Sequence, residues 1–447
     1  MTSRSRSERG AALLVVMVAV AILTALAVQL AYETRVELQI AGNARDQLRA
    51  EHLAKSGVAL SRLVLDLQQQ IDGATQPPKG QSSSARGASQ APTALSIPSI
   101  RIWSAVPISS GLVQALFGGA APAASAAPAA AEQSEGAASA EPLVAARFGD
   151  FDGAFAATIE DEASKVNAQL DQPFGAGGSL GPQVVGLWQL MCDPRWDLLF
   201  DREDANGQRV SRQDLLIHLR DWTDEDPGGE RSSSLVASFP GPACIILAPP
   251  NPFEAGFGDE NAPYDRGDDR YKAKSARFDS LEELHLVAGV TDAFMAAFGD
   301  RLTIYIPREA KRTVDPRNAA NINDNLMTIA DPLDQPQLYN EEFKALLQRA
   351  VLDQTMGGLL NISGPEFVRI VTALGVTVSA VAENPKSPQY PFGDRSSVYR
   401  IRATGAAGDV EAHIDAVVSL EPDRTQTPSG AAPGGQNPGR LIRWREE

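Results

Sequence analysis

Residues 11–31, AALLVVMVAVAILTALAVQLA, contain no charged side chain and decide how the rest of the chain is arranged. A helix of this length, rising about 1.5 Å per residue, covers about 30 Å, which is the thickness of a bilayer's hydrocarbon core. The preceding leader, MTSRSRSERG, contributes Arg4, Arg6 and Arg9, and basic residues favour the cytoplasmic side. The sequence therefore predicts one membrane-spanning helix, with everything from Tyr32 onward outside the cytoplasm.

The apolar stretch continues into a polar helix without a break. Beyond residue 31, apolar residues recur three, four or seven positions apart among Arg, Glu, Asp and Gln, which is typical of an amphipathic helix. The residues of this stripe are Val36, Ile40, Leu48, Leu53, Leu60, Leu63 and Leu67. We expect the stripe to pack on a globular partner. A cleaved secretory signal would have a shorter apolar core and an A-x-A-like site, so ordinary secretory cleavage is disfavoured.

Composition limits the classes of partner. The 447 residues are 43% hydrophobic and 21% charged, enough to bury cores in two or three domains. The net charge of −16 at pH 7 repels a phosphate backbone, and no basic patch occurs beyond the leader. We therefore expect no nucleic acid partner.

The leader and helix together resemble those of type IV pilins and type II secretion pseudopilins. In that superfamily a prepilin peptidase cuts on the cytoplasmic side of the apolar segment, which implies cleavage between Gly10 and Ala11 and a methylated Ala11. Most members carry glutamate at the fifth mature position, where this chain has Val15. A carboxylate in the bilayer is costly unless a positively charged group, such as the N-terminal amine of a neighbouring subunit, lies beside it. A subunit with valine at this position needs no such group. This absence resembles the K class of minor pseudopilins, the general secretion pathway protein K family.

Further stretches occur in the order of the K class. They are LRDWTDED at 219–226, GDENAPY at 258–264, YKAKSARFDSLEELHLVAGVT at 271–291, LTIYI at 302–306, NINDN at 321–325 and LIRWREE at 441–447. The block at 271–291 and the Gly10–Ala11 leader are the specific parts of this resemblance. NINDN departs from the INxNT of the family.

The expected fold is α+β: a type IV pilin-like fold in which a long, partly transmembrane N-terminal helix packs on a small antiparallel sheet, with a large inserted, mostly α-helical domain. Alternating strands joined by a Gly-Asp turn are predicted within 396–421, and amphipathic helices between about 172 and 384. The predicted divisions are the leader at 1–10, the long helix at 11–71 with 11–31 transmembrane, an Ala/Pro/Gly/Ser-rich flexible insertion at 72–142, a strand region at 143–171, the α-domain at 172–388 and sheet-completing strands at 389–447. Within the insertion, IRIWSAVPI reads either as a short strand or as an apolar docking segment.

Two acidic loops suggest a structural calcium site. Calcium takes six to eight oxygen ligands, which converging loops can supply without fixed spacing. The candidate ligands are Asp224, Asp226, Glu260 and Asn261, with Asp268 and Asp269 as a second possibility. The residues alone favour solvated acidic loops. The resemblance reverses that preference, because K-class pseudopilins bind calcium in the inserted domain.

Two cysteines, Cys192 and Cys244, lie about 50 residues apart without the close spacing of a zinc site. If they face an oxidising compartment, a disulfide closing that loop would stabilise the fold by roughly 4 kcal/mol in the chain-entropy model. The alternative is two unpaired buried thiols.

No residue constellation indicates an enzyme. GGSLG at 177–181 matches a nucleophile motif in letters, but no strand precedes it and the four histidines lie in unrelated contexts. We therefore expect a structural protein: a minor pseudopilin at the tip of the type II secretion pseudopilus, which assembles with other minor pseudopilins, initiates the fibre and supports export across the outer membrane. It would be anchored in the inner membrane with its globular part in the periplasm. Its partners would be those pseudopilins, the prepilin peptidase, the inner membrane and exported substrates.

Two other interpretations stay open. The first is a minor pilin or adhesin of a type IV pilus, which would carry the same leader. The second is a membrane-anchored DNA-uptake protein, because FDSLEELHLVAGVTDAFM at 278–295 has a helix, glycine turn, helix pattern. Its acidic flanks and the absence of Lys or Arg from the turn disfavour contact with phosphates.

Overall fold

The structure is a computed structural model. It describes residues 5–74, 99–117, 146–148, 151–171, 180–200, 209–224, 231–239, 245–265, 270–307, 310–331, 333, 335–393, 395–421 and 439–447.

One helix, α1 (Ser5–Ala74), dominates the N-terminal part of the protein and runs without interruption through Gly10–Ala11. The apolar side chains from Leu13 to Leu30 are exposed all round. Among the described residues this is the one helix long and apolar enough to cross a membrane, with a mean hydropathy of 2.7 over its most apolar window. The expected N-terminal helix is thus confirmed, with ends a few residues beyond 11 and 71.

The second part of α1 packs on a sheet that joins distant parts of the chain. Its main strands are β3 (Phe151–Asp161), β8 (Val398–Ala407), β9 (Val410–Ser419) and β10 (Arg440–Glu446), with the short β1 (Ile108–Ser109) and β2 (Ala146–Phe148) beside β3. The order is β1-β3-β8-β9-β10, β2 also pairs with β3, and each pairing is antiparallel. Ile159 lies opposite Ile401, and β8 and β9 meet at the predicted Gly408-Asp409 turn. The expected completion of an early strand by C-terminal strands is confirmed.

The face of α1 that contacts the sheet follows the predicted stripe only in part. Leu53 is buried and Leu60 packs against the core, as predicted. Four other residues of the stripe, Ile40, Leu48, Leu63 and Leu67, are exposed, so that part of the prediction is wrong. The buried face is instead lined largely by small residues: Ala50, Leu53, Ala54, Gly57, Val58, Ser61 and Leu65. Small side chains are favoured over leucines on this face because they let the helix backbone approach the strands closely. A Cβ atom on Gly405 of β8 would lie 2.1 Å from the Ala50 carbonyl oxygen.

The segment 99–117, within the predicted flexible insertion, contains α2 (Ile102–Ala105), β1 and α3 (Ser110–Phe117). We call residues 99–109 the strap, because they contact three parts of the molecule. Gln68 of α1 accepts a hydrogen bond from the Ile102 amide at 2.7 Å, and Ser99 accepts one from the Asn361 amide at 2.9 Å. Both interpretations of IRIWSAVPI are thus partly right: the segment docks, and its end pairs as a strand. The remainder of the insertion, 75–98 and 118–142, lies outside the described residues.

Between β3 and β8, helices are the most frequent regular elements of the described chain, and irregular segments connect them. The helices are α4 (Gly181–Met191), α5 (Asp197–Phe200), α6 (Arg212–Thr223), α7 (Asp292–Phe298), α8 (Ala319–Ile329), α9 (Glu341–Gln354), α10 (Gly364–Ala373) and α11 (Ala380–Glu383). Two small sheets accompany them: β4 (Val166–Asn167) pairs in parallel with β7 (Leu302–Thr303), and β5 (Ser233–Leu235) pairs antiparallel with β6 (Phe253–Ala255). The segment SLEELHL, expected as an amphipathic helix, forms a 3₁₀ helix over Leu281–Leu286. The division into domains at the predicted boundaries stays a prediction.

The helices enclose two hydrophobic cores. The first helical core is built around α4, α6 and α7 and includes Leu187, Leu215 and Phe298. The second helical core is built around α8 to α10 and includes Leu326, Phe367 and others. Val398 and Val417 of the main sheet belong to the first core, which explains why β8 and β9 are buried on both faces near residues 398 and 417.

Candidate functional site

The processing residues lie on the exposed N-terminal helix. Gly10 and Ala11 are within α1, and the side chain of Val15 is exposed, as are its apolar neighbours. No carboxylate occurs between Ala11 and Ala31. This stretch of helix therefore contains no negative charge that would need a positively charged partner inside a bilayer. Cleavage and methylation at Ala11 stay predictions.

One predicted calcium ligand, Asp224, lies where α6 ends. Ser211 and Asp214 form a capping box at the start of α6, and Asp224 is the C-terminal cap residue. The Arg220 guanidinium is buried one turn earlier, with its Nε 3.6 Å from Asp224 Oδ2. Arg220 also donates a hydrogen bond to the Leu170 carbonyl, which ties α6 to the segment after β4.

The end of α6 is fixed by its own polar and aromatic side chains. Asp221 accepts hydrogen bonds from the Ser233 amide at 2.7 Å and the Ser232 hydroxyl at 2.9 Å, which holds β5 against the helix. Trp222 packs edge-on against Tyr264 with ring centroids 5.5 Å apart. Burial raises the pKa of Asp221, and these hydrogen bonds oppose the rise only in part.

The second acidic loop approaches the same point through a turn at 275–276. Glu260 is buried, and its Oε1 accepts a hydrogen bond from the Ser275 hydroxyl at 3.3 Å. The next residue, Ala276, donates its amide to the Trp222 carbonyl at 3.2 Å. The turn at 275–276 therefore contacts both Glu260 and the last turn of α6, which ends one residue before Asp224.

The pKa of Tyr264 is affected by burial and by negatively charged groups in this region. Its pKa is raised, first by burial and then by the nearby Tyr271 and the carboxylates of Asp221 and Glu260, although a hydrogen bond from the Ala288 amide opposes the rise. The phenol therefore stays protonated at any physiological pH. Asp221 and Glu260 are both buried and lie close enough to Tyr264 to affect its ionisation. We use the name acidic pocket for the end of α6, Glu260 and the turn at 275–276.

The remaining predicted ligands contribute less or lie outside the described residues. The Asn261 side-chain oxygen accepts a hydrogen bond from the Ala273 amide at 3.0 Å and so holds the loop in place. Asp226, Asp268 and Asp269 lie outside the described residues. Within the described ranges, no group of three His, Cys, Asp or Glu side chains is close enough together to hold a metal ion. The described residues supply two buried carboxylates toward a calcium site, fewer than the six to eight oxygens required.

Sequence reasoning missed two residues that organise this region. Ser275, which contacts Glu260, has a left-handed backbone with φ of 49°. Asp221 looked like one more residue of an acidic run, although it holds β5. Neither role has a local sequence signal, because each depends on a partner more than ten residues away.

Cys192 is disulfide-bonded and buried at the end of α4. The other cysteine of the chain, Cys244, lies outside the described residues, so the pairing of the two stays a prediction.

Comparisons with known proteins give a likeness in structure and none in sequence families. No protein-family model matches the chain, and no curated protein matches it. Among solved structures, the chain is similar to a chain of the GspK-GspI-GspJ complex from the type 2 secretion system of enterotoxigenic Escherichia coli. The similarity has a TM-score of 0.34 and 13% sequence identity, and covers 69% of this chain and 84% of that chain.

Proposed function

We propose that this protein is a minor pseudopilin of the K class, which acts at the tip of a type II secretion pseudopilus. The observation that carries the proposal is the uninterrupted α1, whose first part is apolar all round and whose second part packs on an antiparallel sheet closed by C-terminal strands. The apolar part of such a helix can lie first in the lipid bilayer and later among the helices of an assembled fibre. It is stable in lipid, and it is equally stable where the apolar helices of neighbouring subunits replace lipid.

Val15 and the bulk of the helical region support a position at the tip. A subunit without a carboxylate at this position requires no amine from a subunit above it. The helices between β3 and β8 add mass beside the sheet and would obstruct the addition of another subunit on that side. The partners would be the other minor pseudopilins, and the protein would have no reaction of its own. It would be anchored in the inner membrane, with its globular part in the periplasm.

Mass spectrometry of the mature N-terminus tests this proposal. We expect a chain that begins at N-methylated Ala11 when the protein is produced with a prepilin peptidase. A Gly10→Lys variant should stay uncut, because a large charged side chain replaces the glycine of the leader. An intact Met1 in the wild type, or a cut beyond Ala31, would show that the protein is not a pseudopilin.

We also propose that the acidic pocket holds a structural calcium ion. Asp224 and Glu260 would be its carboxylate ligands, and calcium would neutralise buried negative charge and join α6 to the second acidic loop. Asp226, Asp268 and Asp269 are candidates for the remaining ligands. The support is the burial of Asp224 and Glu260, the hydrogen bonds that join the turn at 275–276 to Glu260 and to Trp222 near the end of α6, and the preference of calcium for carboxylate oxygens.

Thermal unfolding of the full chain in detergent, with chelator or with millimolar calcium, tests the calcium proposal. Calcium at about 100 times its dissociation constant should stabilise the fold by about 2.7 kcal/mol and raise Tm. Asp224→Asn and Glu260→Gln should each reduce the rise, whereas Asp353→Asn, on an exposed turn of α9, should leave it unchanged. The same Tm with and without calcium in the wild type would exclude the site.

A further inference from the structure

The second helical core belongs to a part of the chain whose two ends lie side by side. Arg312 donates its amide to the Pro391 carbonyl at 3.1 Å, and its carbonyl accepts a hydrogen bond from the Gly393 amide at 2.8 Å. Arg312 and Phe392 thus pair in parallel. We call the described residues of 313–392 the lobe and this pairing the pivot. A unit whose two connections are adjacent can rotate about them while its own helices stay intact.

The lobe has a hydrophobic core of its own. The residues of the second helical core lie between Val314 and Phe392, with Ile245 as the exception. Among the described residues, none of the lobe belongs to the first helical core. Movement of the lobe as a body therefore breaks up neither core and gives up the contact with Ile245.

The lobe meets the first helical core through a polar and imperfectly packed contact between α4 and α8. A cavity of about 270 Å³ lies between these helices. Gln189 of α4 and Asn323 of α8 line it, and each also has a buried side-chain atom without a hydrogen-bond partner among the described residues. Burial of an unpaired polar atom is unfavourable, and such atoms bond to water once the helices separate. This contact therefore holds the lobe less firmly than a close-packed apolar contact would.

An ion pair, which we call the first latch, joins the lobe to the first helical core. The guanidinium of Arg301 makes a two-pronged contact with the carboxylate of Asp324 on α8, with Nε 3.2 Å from Oδ2. The side chains of Arg301 and Asp324 are 24% and 10% exposed. Because partial burial reduces screening by water, the pair attracts more strongly than a fully exposed one.

The strap joins the lobe at a second place, which we call the second latch. The Arg101 guanidinium lies 2.6 Å from the Asp315 carboxylate, and the Ser99 carbonyl accepts a hydrogen bond from the Asn361 amide at 2.9 Å. Arg317 of the lobe also donates to a carbonyl of the strap. These are polar contacts, so water can take their place when the strap and the lobe separate.

The other hydrogen bonds between the lobe and the end of β3 lie close to the pivot. Thr313, the residue after Arg312, donates its hydroxyl to Asp161 at 2.6 Å and its amide to the Ala163 carbonyl at 3.0 Å. Asn321 donates both to the Ser164 carbonyl and to the Thr313 carbonyl, so it belongs to the same region. A rotation about the pivot displaces these groups less than it displaces the two latches.

We propose that the lobe is hinged and rotates about the pivot between the closed arrangement, in which both latches are formed, and an open arrangement, in which both are broken. Opening uncovers the facing surfaces of α4 and α8 and the lobe-facing side of the strap. A partner that binds these surfaces shifts the protein toward the open arrangement. The hinge is independent of whether the protein is a pseudopilin.

Distance measurement by pulsed electron paramagnetic resonance tests the hinge on the full chain in detergent. Spin labels on p-acetylphenylalanine, introduced in place of Asp292 on α7 and Asp353 on α9, leave the native cysteines untouched, and both positions are exposed. The double variant Arg101→Gln, Arg301→Gln removes a charge from each latch. We expect it to show a second distance, with a population at least about tenfold larger than in the wild type, as loss of hydrogen-bonded charges implies.

A matched control and hydrogen exchange distinguish rotation from unfolding. Arg369→Gln, an exposed position of α10, makes the same substitution within the lobe and should leave the distances unchanged. In the double variant, the Asn361 amide should exchange at least about tenfold faster, while the amides within α9 and α10 keep their protection.

Two results would overturn the proposal. One is a folded double variant with the distances of the wild type. The other is loss of protection throughout α9 and α10 whenever the second distance appears, which would mean that the lobe unfolds and does not rotate. If the double variant fails to fold, the labelled wild type in urea below its unfolding midpoint takes its place. There the second distance should appear before α9 loses protection, and simultaneous changes would exclude the hinge.

Discussion

Glu162 is a fully buried carboxylate at the junction between the main sheet and the helices. Its Oε1 accepts hydrogen bonds from Lys165 at 2.9 Å and from Arg400 at 2.7 Å, and its other oxygen accepts one from the Thr303 hydroxyl. Burial opposes ionisation, but the charges of Lys165 and Arg400 outweigh it and lower the pKa of Glu162 below its ordinary value. The carboxylate is therefore charged at neutral pH and joins β8 to β7.

Replacing Glu162 should destabilise the fold strongly. Glu162→Gln keeps the shape but leaves the buried guanidinium of Arg400 without its main countercharge, and breaking a buried pair in this way costs about 3–5 kcal/mol. Urea unfolding would measure the loss. Glu341→Gln is the control, since Glu341 is exposed and pairs with Lys344 on the surface of α9 at 2.7 Å, and its removal should cost less than about 1 kcal/mol. Equal losses in the two variants would contradict this account.

At the scale of elements, the contact between α1 and β8 depends on residues without bulky side chains. A Cβ atom at position 405 would overlap the backbone of α1 at Ala50 and Ala54. A backbone cannot give way as a flexible side chain can, so helix and strand would have to separate.

Gly405→Ala should therefore lower the free energy of unfolding by about 1–3 kcal/mol, the usual cost of overpacking a core. Gly42→Ala provides the comparison. Nothing lies within 4 Å of a Cβ atom at position 42, so this variant gains helix propensity, up to about 1 kcal/mol. Thermal melts of both variants would decide whether close approach, and not glycine content, determines stability.

β10 is tied to the helical region through Glu282. Arg443 and Arg445 both contact its carboxylate, Arg445 at 2.7 Å. Partial burial alone would raise the pKa of Glu282, but the hydrogen bond and charge of Arg443 outweigh it and lower the pKa to about 2. The stabilisation is present above the ordinary pKa of 4.5 and is lost as the pH falls toward 2.

Comparison of the wild type with Glu282→Gln between pH 7 and pH 2 would measure this contribution. The difference in unfolding free energy should be constant above pH 5 and should shrink below about pH 4.5. Since Glu282 is half exposed, the difference should be under about 1 kcal/mol and should diminish in high salt. A difference that grows at low pH would contradict the assignment.

At the scale of the whole molecule, the strap joins α1, the second helical core and the main sheet. Arg101 donates its amide to the Leu359 carbonyl at 2.8 Å and its guanidinium to Asp315 at 2.6 Å. Trp103 packs edge-on against Tyr399 of β8, with ring centroids 5.6 Å apart. One short segment thus contacts α1, the helical region and the sheet together.

Removing the Trp103 ring should release the strap as a unit. In Trp103→Ala, the amides of Arg101 and Asn361, which bond across the strap, should exchange hydrogen together and faster, while the amides between β8 and β9 keep their protection. Hydrogen exchange followed by mass spectrometry would detect this. Trp444→Ala, on the exposed β10, should leave the strap amides unchanged. Faster exchange throughout the sheet would mean that the strap is not a separate unit.

Features with a local signal were predicted correctly. The long α1, the hairpin of β8 and β9 and its Gly408-Asp409 turn follow from charge-free length, alternation and turn chemistry, which neighbouring residues determine. The buried face of α1 was predicted only in part, because the large leucines suggested a stripe, whereas close packing required small residues such as Ala54 and Gly57 beside Leu53. The roles of Ser275 and Asp221 could not be identified from the sequence, because their partners lie more than ten positions away.

The sequence by itself determined a charge-free N-terminal helix of membrane length, a basic leader ending in Gly10, and C-terminal strands with alternating polarity. These depend on spacing within one segment. Only the tertiary structure decided that Glu162 meets Arg400, 238 positions away, and that Asp221 accepts a hydrogen bond from the Ser233 amide. The physical reason is that a polar side chain carries no signal of its partner until the chain is folded, when burial makes an unmade hydrogen bond or an uncompensated charge costly.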